Sequence, residues 1–123
     1  MEAQQTLFTY LRQKLGEKYD VYDGALPPES APYPFIYLGD CQSVDTIYKD
    51  CYGDTIYQTI DVWHNDPKKR GTLSAIIADV KSVCRGMEDN YGWLLTSCSY
   101  QILPDSTTSE PLMHGIINVT FER

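Results

Sequence analysis

The sequence predicts an α+β fold: a four-stranded, mostly antiparallel sheet made of two hairpins, with two helices packed on one face. Three observations carry that prediction. From Ile56 to His64 the chain alternates, with Ile56, Ile60 and Val62 on one side and Thr55, Tyr57, Thr59 and Asp61 on the other, the period of a half-buried strand. The next apolar run changes period. Leu73, Ile76, Ile77, Val80, Val83, Cys84 and Met87 recur at steps of three and four, forming one helical stripe wide enough to lie on a sheet. The third observation is the order of patterns, helix, strand, strand, helix, strand, strand, which sets two strand pairs around a central helix. With 123 residues, 42% of them apolar, the expectation is a single domain spanning 1–123.

Ala3 to Gly16 reads as the first helix, because Ala3, Leu7, Leu11 and Leu15 fall four apart with Phe8 and Tyr10 beside them, and Gly16 ends it. A helix so close to the terminus frays unless its apolar face is tied down, which places it on the same sheet. Val21 to Tyr33 reads as an ordered connector, with Ala31 and Tyr33 pushed toward extended geometry by the prolines that follow them. Phe35 to Leu38 is rich in strand formers, Gly39 suits a bulge or a close backbone approach, and the run resumes through Val44 to Ile47. Tyr48 to Gly53 then forms the polar tip of a long hairpin leading into the Ile56 strand.

That strand breaks at Asn65-Asp66-Pro67. Asp66 can cap the first turn of a helix starting at Pro67, and a shorter helix capped by Thr72 fits the same residues. Asp79, Lys81, Ser82 and Arg85 take the helix's outer side. Glu88 to Gly92 reads as a turn and Trp93 to Leu103 as the third strand, with Leu94, Cys98, Tyr100 and Ile102 on one face and Ser97, Ser99 and Gln101 opposite. Pro104 to Pro111 reads as a mobile polar loop. Leu112 to Phe121 is the last strand, presenting Met113, Gly115, Ile117, Val119 and Phe121 to the core and His114, Asn118 and Thr120 outward.

A net charge of −7 argues against nucleic acid as the main partner, since phosphate binding relies on clustered Lys and Arg, and the only such cluster is Lys68-Lys69-Arg70. Ten tyrosines exceed what a core of this size needs and point toward assembly surfaces. No signal segment and no bilayer-length apolar run is present, so the expectation is a soluble protein, intracellular when made, with no membrane partner. Cys41, Cys51, Cys84 and Cys98 have the spacing of neither a metal knuckle nor a disulfide scaffold. Cys84 and Cys98 read as small buried hydrophobes, and Cys41 and Cys51 approach each other if their segments pair.

No nucleophile with a base, no carboxylate pair and no metal-ligand spacing stands out, so no catalytic residue, cofactor or metal is expected. His64 closes one strand and His114 faces outward on another; a lone histidine is usually structural or solvated. If the helix starts at Pro67, three cations sit at a terminus whose dipole favours anions, and a partner carboxylate relieves that conflict. If it starts at Thr72, they are solvated loop charges.

The run Pro32-Tyr33-Pro34-Phe35-Ile36-Tyr37-Leu38-Gly39-Asp40, the turn Gly53-Asp54, the strand end Ile60-Asp61-Val62-Trp63-His64, the amphipathic helix and the late strand His114-Gly115-Ile116-Ile117-Asn118-Val119 occur in a telling order. In that order and spacing the chain resembles the tail-completion, or tail-terminator, proteins of bacteriophages with long non-contractile tails. The resemblance implies a structural virion protein and not an enzyme: a homo-oligomeric ring, typically of six subunits, that caps the tail tube at its final length and joins it to the neck. The implied partners are the tail tube protein and a neck or head-completion protein, with DNA passing through the ring without specific binding. The implied location is the tail–neck junction of the virion, after synthesis in the host bacterial cytoplasm. Candidate subunit or tube contacts are Tyr48, Lys49, Asp50 and Tyr52 on the hairpin, and Lys68, Lys69 and Arg70 facing Glu88 and Asp89 of a neighbour. The alternatives are another neck component, such as a stopper or head-completion protein, a small cytosolic α+β enzyme, or a monomeric adaptor.

Overall fold

The computed structural model describes residues 3–23, 34–47, 52–65, 70–105 and 112–122. Most of the proline connector, hairpin residues 48–51, the Asp66–Pro67 cap with Lys68 and Lys69, and loop residues 106–111 lie outside them. The element order is α1 (Ala3–Leu15), β1 (Asp20–Asp23), β2 (Phe35–Ile47), β3 (Tyr52–His64), α2 (Arg70–Arg85), α3 (Met87–Tyr91), β4 (Leu94–Asp105) and β5 (Leu112–Glu122).

The sheet is mixed and five-stranded, in the order β1-β2-β3-β5-β4. Both expected hairpin pairs form, and β3 joins them by pairing antiparallel with β5. The fifth strand is the first correction. Asp20–Asp23, expected to begin a connector, runs parallel to β2 with Val21 opposite Ile36. Four residues are too few to show a period, and their strand state comes from a neighbour distant in sequence.

Three boundaries also differ. β2 ends at Ile47 as expected, but β3 begins earlier than Ile56, so Tyr52 and Gly53 belong to β3 and not to the tip. β4 runs through Pro104 to Asp105, a place open to proline because β4 is an outer strand. Glu88 to Gly92 is not a simple turn: Met87–Tyr91 forms a five-residue helix, closed by Gly92 at φ 74°. The Gly92 N–H bonds to the Glu88 carbonyl, the left-handed cap that glycine adopts without steric cost.

The helices lie on one face, α1 over β1 and β2, α2 over β3, β5 and β4. Leu7, Leu11 and Leu15 of α1 and Leu73, Ile76, Ile77 and Val80 of α2 meet Ile36, Leu38, Ile56, Ile60, Val62, Ile117, Val119 and Phe121 of the sheet in one buried cluster. Gly115 permits this closeness, because a Cβ there would stand 3.2 Å from Ile77 Cδ1 and 3.6 Å from Leu73 Cδ1.

The expected face of β4 needs one correction. A register shift between Leu95 and Ser97 inserts an extra residue, so Leu95, paired with Phe121, packs on the core while Leu94 turns to the open side. Tyr100 keeps its expected side but remains half exposed beneath Lys81, whose Nζ stands 5.6 Å from the ring centroid.

Asp79, expected on the outer side of its helix, is engaged instead. The Tyr19 hydroxyl donates to Asp79 Oδ2 at 2.9 Å, tying the segment after α1 to the middle of α2. Burial, followed by that bond, raises the Tyr19 pKa. Tyr19→Phe is expected to lower stability by about 1 kcal/mol, read from the urea midpoint, and an unchanged midpoint means the bond contributes nothing net.

Candidate assembly surface

Because all the helices pack on one side, the other face of the sheet is open among the described residues. It is built from the alternate residues of the strands: Tyr22 of β1, Tyr37 of β2, Tyr57, Thr59, Asp61 and Trp63 of β3, and His114, Ile116, Asn118 and Thr120 of β5, with the buried Phe35 at its margin against Tyr22.

At its centre the register places Trp63 opposite His114. Their rings stack with centroids 3.7 Å apart and planes 10° from parallel. His114 Nε2 stands 2.7 Å from Asp61 Oδ1, so the carboxylate fixes the imidazole against the indole. Gly39 of β2 sits beside this pair, where a Cβ would come within 2.8 Å of Asp61 Oδ2. One strand position away, the Thr59 hydroxyl donates to Asn118 Oδ1 at 3.1 Å. Removing the imidazole in His114→Ala is expected to cost about 1–2 kcal/mol and to change tryptophan emission, because both the stack and the Asp61 contact disappear. Urea unfolding followed by fluorescence measures both, and a variant matching the parent in midpoint and spectrum would mean that the contacts are energetically idle.

The second construction lies at the β2 bulge. Between Leu38 and Cys41 the pairing with β3 shifts, so Gly39 and Asp40 together face Thr59. The bulge removes β2 carbonyls from the regular ladder, and Gln58 Nε2 donates toward them, 3.2 Å from the Gly39 carbonyl oxygen and 3.3 Å from that of Asp40, and lies 2.7 Å from the Thr59 carbonyl oxygen of its own strand. Gln58 is only 2% exposed, and this donor role accounts for an amide on the apolar side of β3. Beside the bulge a shallow recess of about 230 Å³ is lined by Asp40, Gln42, Tyr57, Thr59, Asn118 and Thr120, among others.

The expected contact residues fall in three places. Tyr48, Lys49, Asp50, Lys68 and Lys69 lie outside the described residues, as does Cys51, and with it the expected Cys41–Cys51 approach. Tyr52 begins β3 and Arg70 begins α2. Glu88 and Asp89 are exposed in the first turn of α3. Arg70 is already helical, so the expected start at Thr72 is too late, while the expected start at Pro67 lies outside the described residues. The Asp61–His114–Trp63 cluster and the Gln58 plug were not among the expected contacts. His114 and Asp61 lie on the outward sides of their strands, as expected, but their meeting depends on the β3–β5 register.

Hydroxyl, amide and aromatic groups dominate this face, and among the described residues no group of three or more His, Cys, Asp or Glu side chains could hold a metal ion. Cys84 is buried, and desolvation, with a smaller effect from Cys98, pushes its thiol up to about 12, which keeps it protonated and inert at neutral pH. No helix among the described residues is long and apolar enough to cross a membrane.

The architecture is therefore an α+β domain, with helices on one face of a mixed sheet whose other face stays open. No family model and no curated protein matches the chain. Among solved structures it is similar to a chain of the virion of a native gene transfer agent (GTA) particle. That likeness covers 98% of this chain and 95% of the other at 15% identity, with a TM-score of 0.52, and establishes a shared fold.

Proposed function

We propose that this chain is a virion structural protein of the tail-terminator kind, a ring-forming subunit that caps the tail tube at its final length and joins the tail to the neck. The observation that carries this reading is the end-to-end likeness to a chain of a virion particle, extending over nearly the whole of both chains. The ordered motifs from Pro32 to Asp40, Ile60 to His64 and His114 to Val119 point the same way.

A ring joins unlike patches on neighbouring subunits. Arg70 is the first described residue of the 16-residue helix α2, while Glu88 and Asp89 lie in α3 just past its other end, so Arg70 and the acidic pair are separated by the length of α2, about 24 Å. Placed at opposite ends, they suit a head-to-tail contact better than pairing within one chain. The hairpin bearing Tyr48, Lys49, Asp50 and Tyr52 then serves contact with the tail tube.

Light scattering combined with negative-stain imaging tests the ring, and binding to purified tail tube subunits against the portal-side adaptor tests the role. A ring that binds tube subunits supports the terminator; binding only to the adaptor reassigns it as a stopper. Reversing Lys68, Lys69 and Arg70 to glutamate should weaken assembly and reduce its salt sensitivity, whereas an unchanged oligomer would remove this pairing.

A further inference from the structure

Two stretches at opposite sides of the sheet have no strand beside them among the described residues, and we infer that they pair with each other between neighbouring copies of this chain: β4 of one subunit hydrogen-bonds along the distal half of β2 in the next. This inference rests on the ring reading above and specifies the contact that closes it.

The first edge is β4, which has β5 on one side and, among the described residues, no strand on the other. An unpaired strand presents a row of backbone donors and acceptors that another chain can bind, and proteins usually block such a row with charge, proline, bulges or a covering element. On β4 those blocks sit at the ends, the register shift at Leu95–Ser97 and Pro104. Between them Ser97-Cys98-Ser99-Tyr100-Gln101-Ile102-Leu103 contains no charge, glycine or proline. Tyr100 is 52% and Leu103 42% exposed, so the stretch offers apolar area on both faces as well as backbone groups.

The second edge is of matching length. β1 accompanies β2 only from Phe35 to Leu38. From Asp40 to Ile47, β2 has β3 on one side and no strand on the other among the described residues. The two stretches, seven and eight residues long, stand at opposite margins of one sheet. Joining unlike margins is a heterologous contact: every added subunit leaves one stretch of each kind, until a ring closes and neither stretch remains open. β4 pairing with its own copy would instead stop at a dimer and leave both β2 edges open. The sequence of 40–47 carries two acidic residues, Asp40 and Asp45, and Ser97–Leu103 carries no charge, so the cross-chain pairing brings no like charges together there.

Hydrogen exchange resolved to single amides, on dissociated and assembled protein, tests the pairing directly. Assembly should slow alternate amides in Ser97–Leu103 and in 40–47 by at least tenfold, the alternation arising because only every second residue of a strand points its backbone outward. In parallel, the double variant Ser99→Glu, Gln101→Glu places two negative charges on the edge at exposed positions, facing a partner stretch that itself carries Asp40. It should weaken association at least tenfold while leaving the circular dichroism spectrum and thermal midpoint of the subunit unchanged. A ring whose β4 amides exchange as before, or a double variant that assembles normally, overturns the edge pairing and leaves the ring reading intact. Protection of β4 alone in a dimer identifies β4 self-pairing and overturns the proposed partner strand. A parent chain that stays monomeric at all concentrations, alone and with tail tube subunits, overturns both.

Discussion

Gln58→Glu is expected to cost about 3–5 kcal/mol at neutral pH, a third or more of the stability of an ordinary domain. The wild-type amide points its N–H groups at the carbonyls of Gly39, Asp40 and Thr59. A carboxylate has no donor, so it would set a buried negative charge against three carbonyl oxygens and leave the bulge carbonyls unpaired. The pH dependence identifies the cause. Burial raises the folded-state pKa of the new carboxyl, so the unfolded chain gives up its proton first; the penalty is absent at low pH and grows as pH rises above about 4.3. Lowering pH from 7 to 4.5 should therefore recover part of the loss relative to wild type, because the protonated acid regains one donor. Gln58→Leu should cost about 1–3 kcal/mol with the same pH profile as wild type. Urea unfolding of all three proteins at pH 4.5 and 7 decides the matter: a glutamate variant as stable as wild type at pH 7 would exclude this role for the side chain.

The second large effect is alkaline. The Cys84 thiol is fully buried and its pKa is pushed from 9.0 to about 12. The folded chain holds this proton while the unfolded chain releases it near pH 9. Stability tied to Cys84 is thus complete below about pH 9 and is lost as pH rises toward 12, at up to about 1.4 kcal/mol per pH unit. Tyr19, also shifted upward, adds to the slope at higher pH. Cys84→Ala should start from a lower stability, since it leaves a small cavity beneath α2, yet lose less between pH 9 and 11 than the parent. Parallel slopes for the two proteins in urea titrations at pH 8, 9, 10 and 11 would show that the thiol stays protonated in both states.

Long elements with one exposed face were readable from residues alone. The alternation from Ile56 to Val62 and the three-and-four spacing from Leu73 to Cys84 report burial directly, and both appear where expected. The misses are short or depend on distant neighbours. β1 has four residues and α3 five, below the length at which a period can be seen. Leu94 was placed on the wrong face because an irregularity in β4 pairing shifts the alternation, and nothing local marks it. Gln58 was legible in principle: it is the polar member of an otherwise apolar series, Ile56, Ile60 and Val62, and a buried amide demands partners. The Asp61–His114–Trp63 cluster was not, because three outward side chains become a cluster only when β3 and β5 lie side by side.

That same β3–β5 seam has a consequence for the chain as it is made. It aligns Ile60 with Ile117, nearly half the chain later, whereas each hairpin closes locally. At usual synthesis rates β3 emerges about 3–11 s before the middle of β5, far longer than the microseconds a hairpin needs. During that interval β2 and β3 can pair, α1 and α2 can begin to cover Ile56, Ile60 and Val62, and β3 carries an open flank that β5 closes only later. The nascent half is therefore vulnerable to pairing with the wrong strand until β5 arrives.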